Sequence, residues 1–191
     1  MVNRIVSEIE KCLEQENYIA ALTMALTLPD ICGKAAEPSL GPGARYKKWY
    51  KENVALYEKP SDPYGADMPY LSEEVMWQLR NSMLHQGNPN VDAKSIKEEQ
   101  CKIDQFILFV DDPYDSGLSV VSYGNGLKKI TNRKLEVNLV LTSNRICKAA
   151  KEYYENNTER FDFFNYTFEN RKKSREEYER VLNLLQGKQA K

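Results

Sequence analysis

Histidine occurs only once in these 191 residues, at His85. A chain with one imidazole cannot by itself assemble a multi-histidine zinc or iron site, nor pass a proton between two imidazoles. If imidazole chemistry near neutral pH is involved, His85 carries it. Cysteine is scarce as well. Cys12, Cys32, Cys101 and Cys147 form no Cys-x-x-Cys pair, which excludes the spacing of a zinc ribbon or a thioredoxin-like motif and fits reduced thiols. Cys32, beside Gly33, reads as a small packing residue rather than a nucleophile. No charge of one sign dominates, with 27 basic against 28 acidic residues. A protein that coats nucleic acid with a broad basic face is thereby excluded, but a small local phosphate site is not. A glycine-rich phosphate loop is missing, because Gly124-Asn125-Gly126 lacks the rest of a dinucleotide fingerprint and reads as a turn. No apolar window of membrane-spanning length is expected, and the charged, amphipathic start from Met1 to Glu8 does not look like an export leader. A cytoplasmic protein without membrane contact is the expectation.

What is present is helical periodicity, at a length suited to one domain over 1–191. Ile5, Val6, Ile9, Cys12 and Leu13 predict a first helix from Val2 to about Asn17, with Asn3 as N-cap. Tyr18 to Ala36 predicts a second, kinked or broken near Leu28 because Pro29 removes a backbone donor. After the turn-rich connector Glu37 to Gly43, the aromatic stretch from Tyr46 to Tyr57 reads as a third helix, and Lys59 to Pro69 as loop. Ser72 is a candidate N-cap, Glu73 and Glu74 suit the positive helix start, and Gly87 with Pro89 marks a stop. The segment between them is expected to be a helix of about 14 residues.

Beyond a possible capping box at Ser95 to Glu98, β-formers dominate from Ile103 to Val110, Leu118 to Tyr123 and Leu127 to Glu136, with a turn signal at Asp111-Asp112-Pro113. They predict a small β-hairpin or meander inserted at about 103–136 in a helical scaffold. Helical spacing returns from Val137 to Asn157. The rings of Phe161, Phe163, Phe164, Tyr166 and Phe168 are expected to pack on the bundle. A capping box at Ser174 predicts a last helix through Leu185, with a frayed tail beyond. The basic runs Lys128-Lys129 and Arg171-Lys172-Lys173 read as solvated surface.

Arg80 and His85 stand in an Arg-x4-His spacing near the end of the fourth helical segment. A guanidinium offers a planar fork of donors suited to phosphate, and an imidazole gives or takes a proton, a combination that suits phosphodiester cleavage without a metal. Asn81, four residues before His85, could orient the imidazole or the substrate. At about 100° per residue, Leu71, Val75, Met76, Leu79 and Met83 form a core-facing stripe. Arg80, Leu84, Trp77, Asn81 and His85 share the opposite arc. Large apolar and polar side chains interleaved in this way suit a homodimer interface or a cleft, and a two-fold contact would repeat Arg80 and His85 about one axis.

The run Leu79-Arg80-Asn81-Ser82-Met83-Leu84-His85-Gln86-Gly87, with Tyr70-Leu71 before it, resembles the signature of the HEPN superfamily, Arg-x(4 to 6)-His with Asn often following the Arg. Ala20 to Lys34 is similar to the second-helix region of uncharacterised bacterial members. The resemblance covers roughly Met1 to Gly87 and the helix from Val137 to Asn157. It implies a mainly α, up-and-down helical bundle that dimerises, with both motifs meeting in a cleft between subunits. It also implies metal-independent RNA cleavage, requiring no cofactor. His85 would assist proton transfer involving the ribose 2′-hydroxyl, Arg80 would stabilise charge on the scissile phosphate, and Asn81 would position one of them. The products would carry a 2′,3′-cyclic phosphate and a 5′-hydroxyl. Two other readings stay open: a non-catalytic dimeric module that binds RNA or protein, and a toxin or phage-defence component silenced by an inhibitory protein partner.

Overall fold

A computed structural model describes residues 1–55, 71–91, 102–110, 115–124 and 130–186. The chain is mainly helical with a small sheet inserted before its longest helix. Helix α1, Val2–Glu14, buries Val2, Val6 and Ile9, a spacing of four and three that keeps one face inward. The expected cap at Asn3 is corrected. The helix starts at Val2 as expected, but its cap is Met1, whose carbonyl accepts from the N–H groups of Arg4 at 3.0 Å and Ile5 at 3.1 Å, so Asn3 already lies inside it.

The apolar run from Tyr18 to Ala36 splits into α2, Tyr18–Ala25, and α3, Leu28–Ala36. The break falls just ahead of Pro29, which occupies the first turn of α3 where its missing N–H costs no helical bond. This run also corrects the expectation about apolar windows. With a mean hydropathy of 1.3 it is long and apolar enough to cross a membrane, and half of the window is buried in the fold. Ala21, Leu22, Ala25, Leu26, Leu28 and Cys32 there are wholly buried.

Helix α4, Pro42–Asn53, follows the connector with Pro42 in its first turn and buries Tyr46, Trp49 and Tyr50 on one face. Helix α5, Glu73–Asn81, packs against α4, and α4 against α3. Helix α6, Leu139–Asn156, lies against α1, α2 and α3. The rings of Tyr153 on α6 and Trp49 on α4 meet edge to face, with centroids 5.7 Å apart.

Strands β1, Gln105–Phe109, β2, Gly117–Tyr123, and β3, Ile130–Asn138, form a sheet in the order β1-β3-β2. β2 and β3 are the expected antiparallel hairpin, in register from Gly117 opposite Glu136 to Tyr123 opposite Ile130. A meander is not formed, because β1 pairs parallel to β3. Leu135 and Val137, central in the sheet, and Phe106 of β1 join the helical core. The capping box at Ser95, the turns at Asp111 and Asn125, Lys128-Lys129 and the loop from Lys59 to Pro69 lie outside the described residues.

Asn138 ends β3 and caps α6. It is fully buried, its side-chain oxygen accepts from the N–H groups of Val140 at 3.1 Å and Leu141 at 3.0 Å, and its own N–H donates to Ser116 Oγ at 2.9 Å. Asn138→Ala leaves two part-buried donors of the first turn of α6 unmet. It is expected to lower stability by about 2 kcal/mol, read as a lower urea midpoint at unchanged slope. An unchanged midpoint would contradict this role.

The C-terminal part departs from expectation in two ways. The last helix, α7, Arg171–Leu185, is capped by Asn170, which accepts from Lys173 N–H at 3.0 Å, so the box at Ser174 lies within the helix. Of the ring cluster only Phe161 is buried, while Phe163, Tyr166 and Phe168 stand out at 48%, 73% and 64% exposure. The 3₁₀ turn Thr158–Phe164 turns Phe161 inward and keeps Phe164 half-buried against the core, as expected of both.

Candidate functional site

Helix α5 is started by Ser72, whose hydroxyl accepts from Val75 N–H at 3.4 Å. Its first-turn carboxylates tie it to α4, Glu74 to Lys47 at 2.8 Å and Glu73 to Lys51 at 3.1 Å. Val75, Met76 and Leu79 face the core as the stripe requires, and Met83 is half-buried.

The expectation of one α-helix through His85 is corrected. The α-helix ends at Asn81, and Ser82–Gln86 form a π-helical turn closed by Gly87 N–H to the Ser82 carbonyl at 2.8 Å. Gly87 holds a left-handed φ of 60° at its end, which glycine adopts without strain. The buried Ser82 hydroxyl donates to the Asn88 carbonyl. The change of helix type has a direct consequence. In an α-helix, residues five apart differ by about 140° around the axis, and the wider π turn from Ser82 to Gln86, bonded from i to i+5, narrows that angle. Arg80, at the end of α5, places Nη1 2.6 Å from His85 Nε2. In this pairing Nε2 is the acceptor, so the ring hydrogen is assigned to Nδ1.

The three expected residues come together within a single chain. Arg80 Nη1 also donates to Asn81 Oδ1 at 3.1 Å, so Asn81 holds the guanidinium. His85 is exposed and Arg80 retains 15% side-chain exposure. Trp77 is half-buried, its ring centroid 5.0 Å from the Arg80 guanidinium carbon and 5.1 Å from that of Tyr46.

Sequence reasoning did not find the groups behind Arg80. Asp30 of α3 accepts from Arg45 Nε at 2.9 Å through one oxygen and lies 3.8 Å from Arg80 Nη2 through the other. Tyr46 is wholly buried, and its hydroxyl and Arg80 Nε are buried polar atoms without a hydrogen-bond partner. Burial pushes the Tyr46 phenol far above its usual range, with Arg80 opposing and Asp30 adding to the shift. One signal was available: Asp30 and Lys34 are the only charged residues in the apolar run 18–36, and a charge placed there needs a partner. Arg45 carries no such mark.

Burial raises the Cys32 thiol well above its usual range and pushes that of Cys147 up to about 12. Neither thiol is poised as a nucleophile. Among the described residues, no group of three or more His, Cys, Asp or Glu side chains is placed to hold a metal. Arg171 and Lys172 are exposed beside Glu169 and Glu176, and Lys173 is exposed too, as a solvated face requires. No family model, curated protein or solved structure was found to match this chain.

Proposed function

We propose that the protein is a metal-independent endoribonuclease of the HEPN type, acting in the cytoplasm as a homodimer with one composite Arg/His cleft. The observation that carries this reading is the 2.6 Å approach of Arg80 Nη1 to Nε2 of the exposed His85 in the π turn. A phosphate donor and a proton acceptor so close together can act on the same phosphodiester.

The chemistry follows from the pair. A non-bridging phosphate oxygen competes for Arg80 Nη1 and, on taking it, releases the lone pair of His85 Nε2. The imidazole then accepts the proton of the 2′-hydroxyl, the 2′-oxygen bonds to phosphorus, and the bond from phosphorus to the 5′-oxygen breaks. The departing oxygen takes up a proton from an imidazolium of the second copy. The products are a 2′,3′-cyclic phosphate and a 5′-hydroxyl. Asn81 keeps Arg80 aimed during the exchange. A toxin or phage-defence setting, with an inhibitory partner over the cleft, fits an enzyme whose substrate is cellular RNA.

Mixing tests the composite cleft. Wild-type chains co-refolded with an excess of His85→Ala chains are expected to lose cleavage in step with the wild-type homodimer that remains, because a mixed dimer holds only one of the two imidazoles the reaction uses. Activity that follows the number of wild-type chains instead would restrict the site to one chain.

A second reading is favoured by the low exposure of Arg80, which already meets Asn81, His85, Asp30 and Trp77. In it the network serves as a structural clasp within a dimeric module that binds RNA or protein without cutting. Native protein that retains RNA without shortening it would favour this module.

A further inference from the structure

The carboxylate behind Arg80 has no part in the proton and phosphate steps above, yet the local architecture converges on it. Arg45 and Arg80 come from different helices and both turn toward Asp30, at 2.9 Å and 3.8 Å. Two guanidinium groups directed at one place repel each other, and in a partly buried setting only a shared counter-charge makes that arrangement stable. The side chains of Asp30, Arg45 and Arg80 are 24%, 17% and 15% exposed, so water screens them only in part.

The backbone is shaped for this cluster. A Cβ on Gly33, one turn beyond Asp30, would lie 2.7 Å from the Arg45 carbonyl oxygen, and a Cβ on Gly43 would lie 3.2 Å from the Trp77 ring. The start of α4 thus brings Gly43 under Trp77, Arg45 to Asp30 and Tyr46 against Trp77. Arg80 rests over the Trp77 ring with Asp30 toward Nη2 and with Asn81 and His85 on Nη1. Its edge toward His85 is therefore aimed by what holds the opposite edge.

We propose that Asp30, anchored by Arg45, is the positioning residue of this site, fixing the orientation of Arg80 that sets Nη1 on the imidazole of His85. Its catalytic consequence rests on the ribonuclease reading, but its structural consequence does not. A single histidine makes that consequence directly observable, because long-range ¹H–¹⁵N spectra of the full chain contain one protein imidazole. In the alkaline range, where imidazole is neutral, wild type is expected to show the form with hydrogen on Nδ1 and a hydrogen-bonded lone pair on Nε2. Asp30→Asn, which keeps shape and removes charge, is expected to abolish that preference, and Asp30→Glu to restore part of it. The turnover number for RNA is expected to fall by about ten- to a hundredfold in Asp30→Asn, with a much smaller change in KM.

If Asp30→Asn does not fold, Arg45→Gln carries the same test, since it frees Asp30 from its anchor and is expected to weaken the same signature. An imidazole spectrum identical to wild type in the folded variant would overturn the positioning role, whatever the cleavage assay gives. A lost signature in Asp30→Asn beside a wild type that cuts no RNA would support the positioning role and sink the ribonuclease reading instead.

Discussion

His85→Ala is expected to slow RNA cleavage by about 10²- to 10⁴-fold, the range of a lost general acid or base, while leaving the fold intact. The imidazole is exposed near the end of a π turn. Loss of such a surface group changes stability by no more than about 0.5 kcal/mol. Arg80→Ala differs in kind. Its guanidinium lies over Trp77 and beside Asp30, so its removal costs stability as well as phosphate binding. Arg80→Lys separates the two effects, because an ammonium keeps the charge next to Asp30 but cannot present Nη1 and Nη2 as a fork. Single-turnover cleavage of labelled RNA in excess chelator is the measurement. The order expected is wild type far above Arg80→Lys, with His85→Ala and Arg80→Ala at or near background.

Gly33→Ala should produce the largest loss of stability among single-methyl changes to the described glycines. The added carbon would meet the Arg45 carbonyl oxygen at 2.7 Å and the carbonyl carbon at 3.0 Å. Both are main-chain atoms in the first turn of α4, so no side-chain rotation relieves the clash and α3 must move away from α4. Overpacking of this kind costs about 1–3 kcal/mol, here at the upper end, and the displacement carries Arg45 away from Asp30. Urea denaturation should show a clearly lower midpoint, and the imidazole spectrum should lose its Nε2 hydrogen-bond signature. Gly41→Ala is the control, since a Cβ there meets nothing within 4 Å. A Gly33→Ala protein as stable as the Gly41→Ala control would show that the helices are not held this close.

The helices were legible in the sequence because their apolar spacing matched the α period: Val75, Met76 and Leu79 are buried as the stripe required. The β insertion was legible as strands but not as a sheet. The parallel pairing of β1 with β3 is a tertiary choice that crosses over β2 in the chain, and no local propensity encodes it. Of the site, Arg80, Asn81 and His85 could be named from their spacing, but their geometry could not. At 100° per residue Arg80 and His85 share only a broad arc, and the π turn that closes the gap leaves no mark in the hydrophobic pattern. Asp30 and Arg45 were harder still, since 15 residues and a change of helix separate the two. The exposed Phe163, Tyr166 and Phe168 are the reverse case, where apolar composition suggested burial that the fold does not provide.

The most direct test is to incubate the purified full chain with mixed cellular RNA in excess EDTA, beside Arg80→Ala and His85→Ala, and to identify the ends of whatever is produced. Fragments ending in 2′,3′-cyclic phosphate and beginning with 5′-hydroxyl, made by wild type and by neither variant, are the expected result. Uncut RNA with wild type, or the same fragments from both variants, would contradict a role for the Arg80–His85 pair in phosphodiester cleavage.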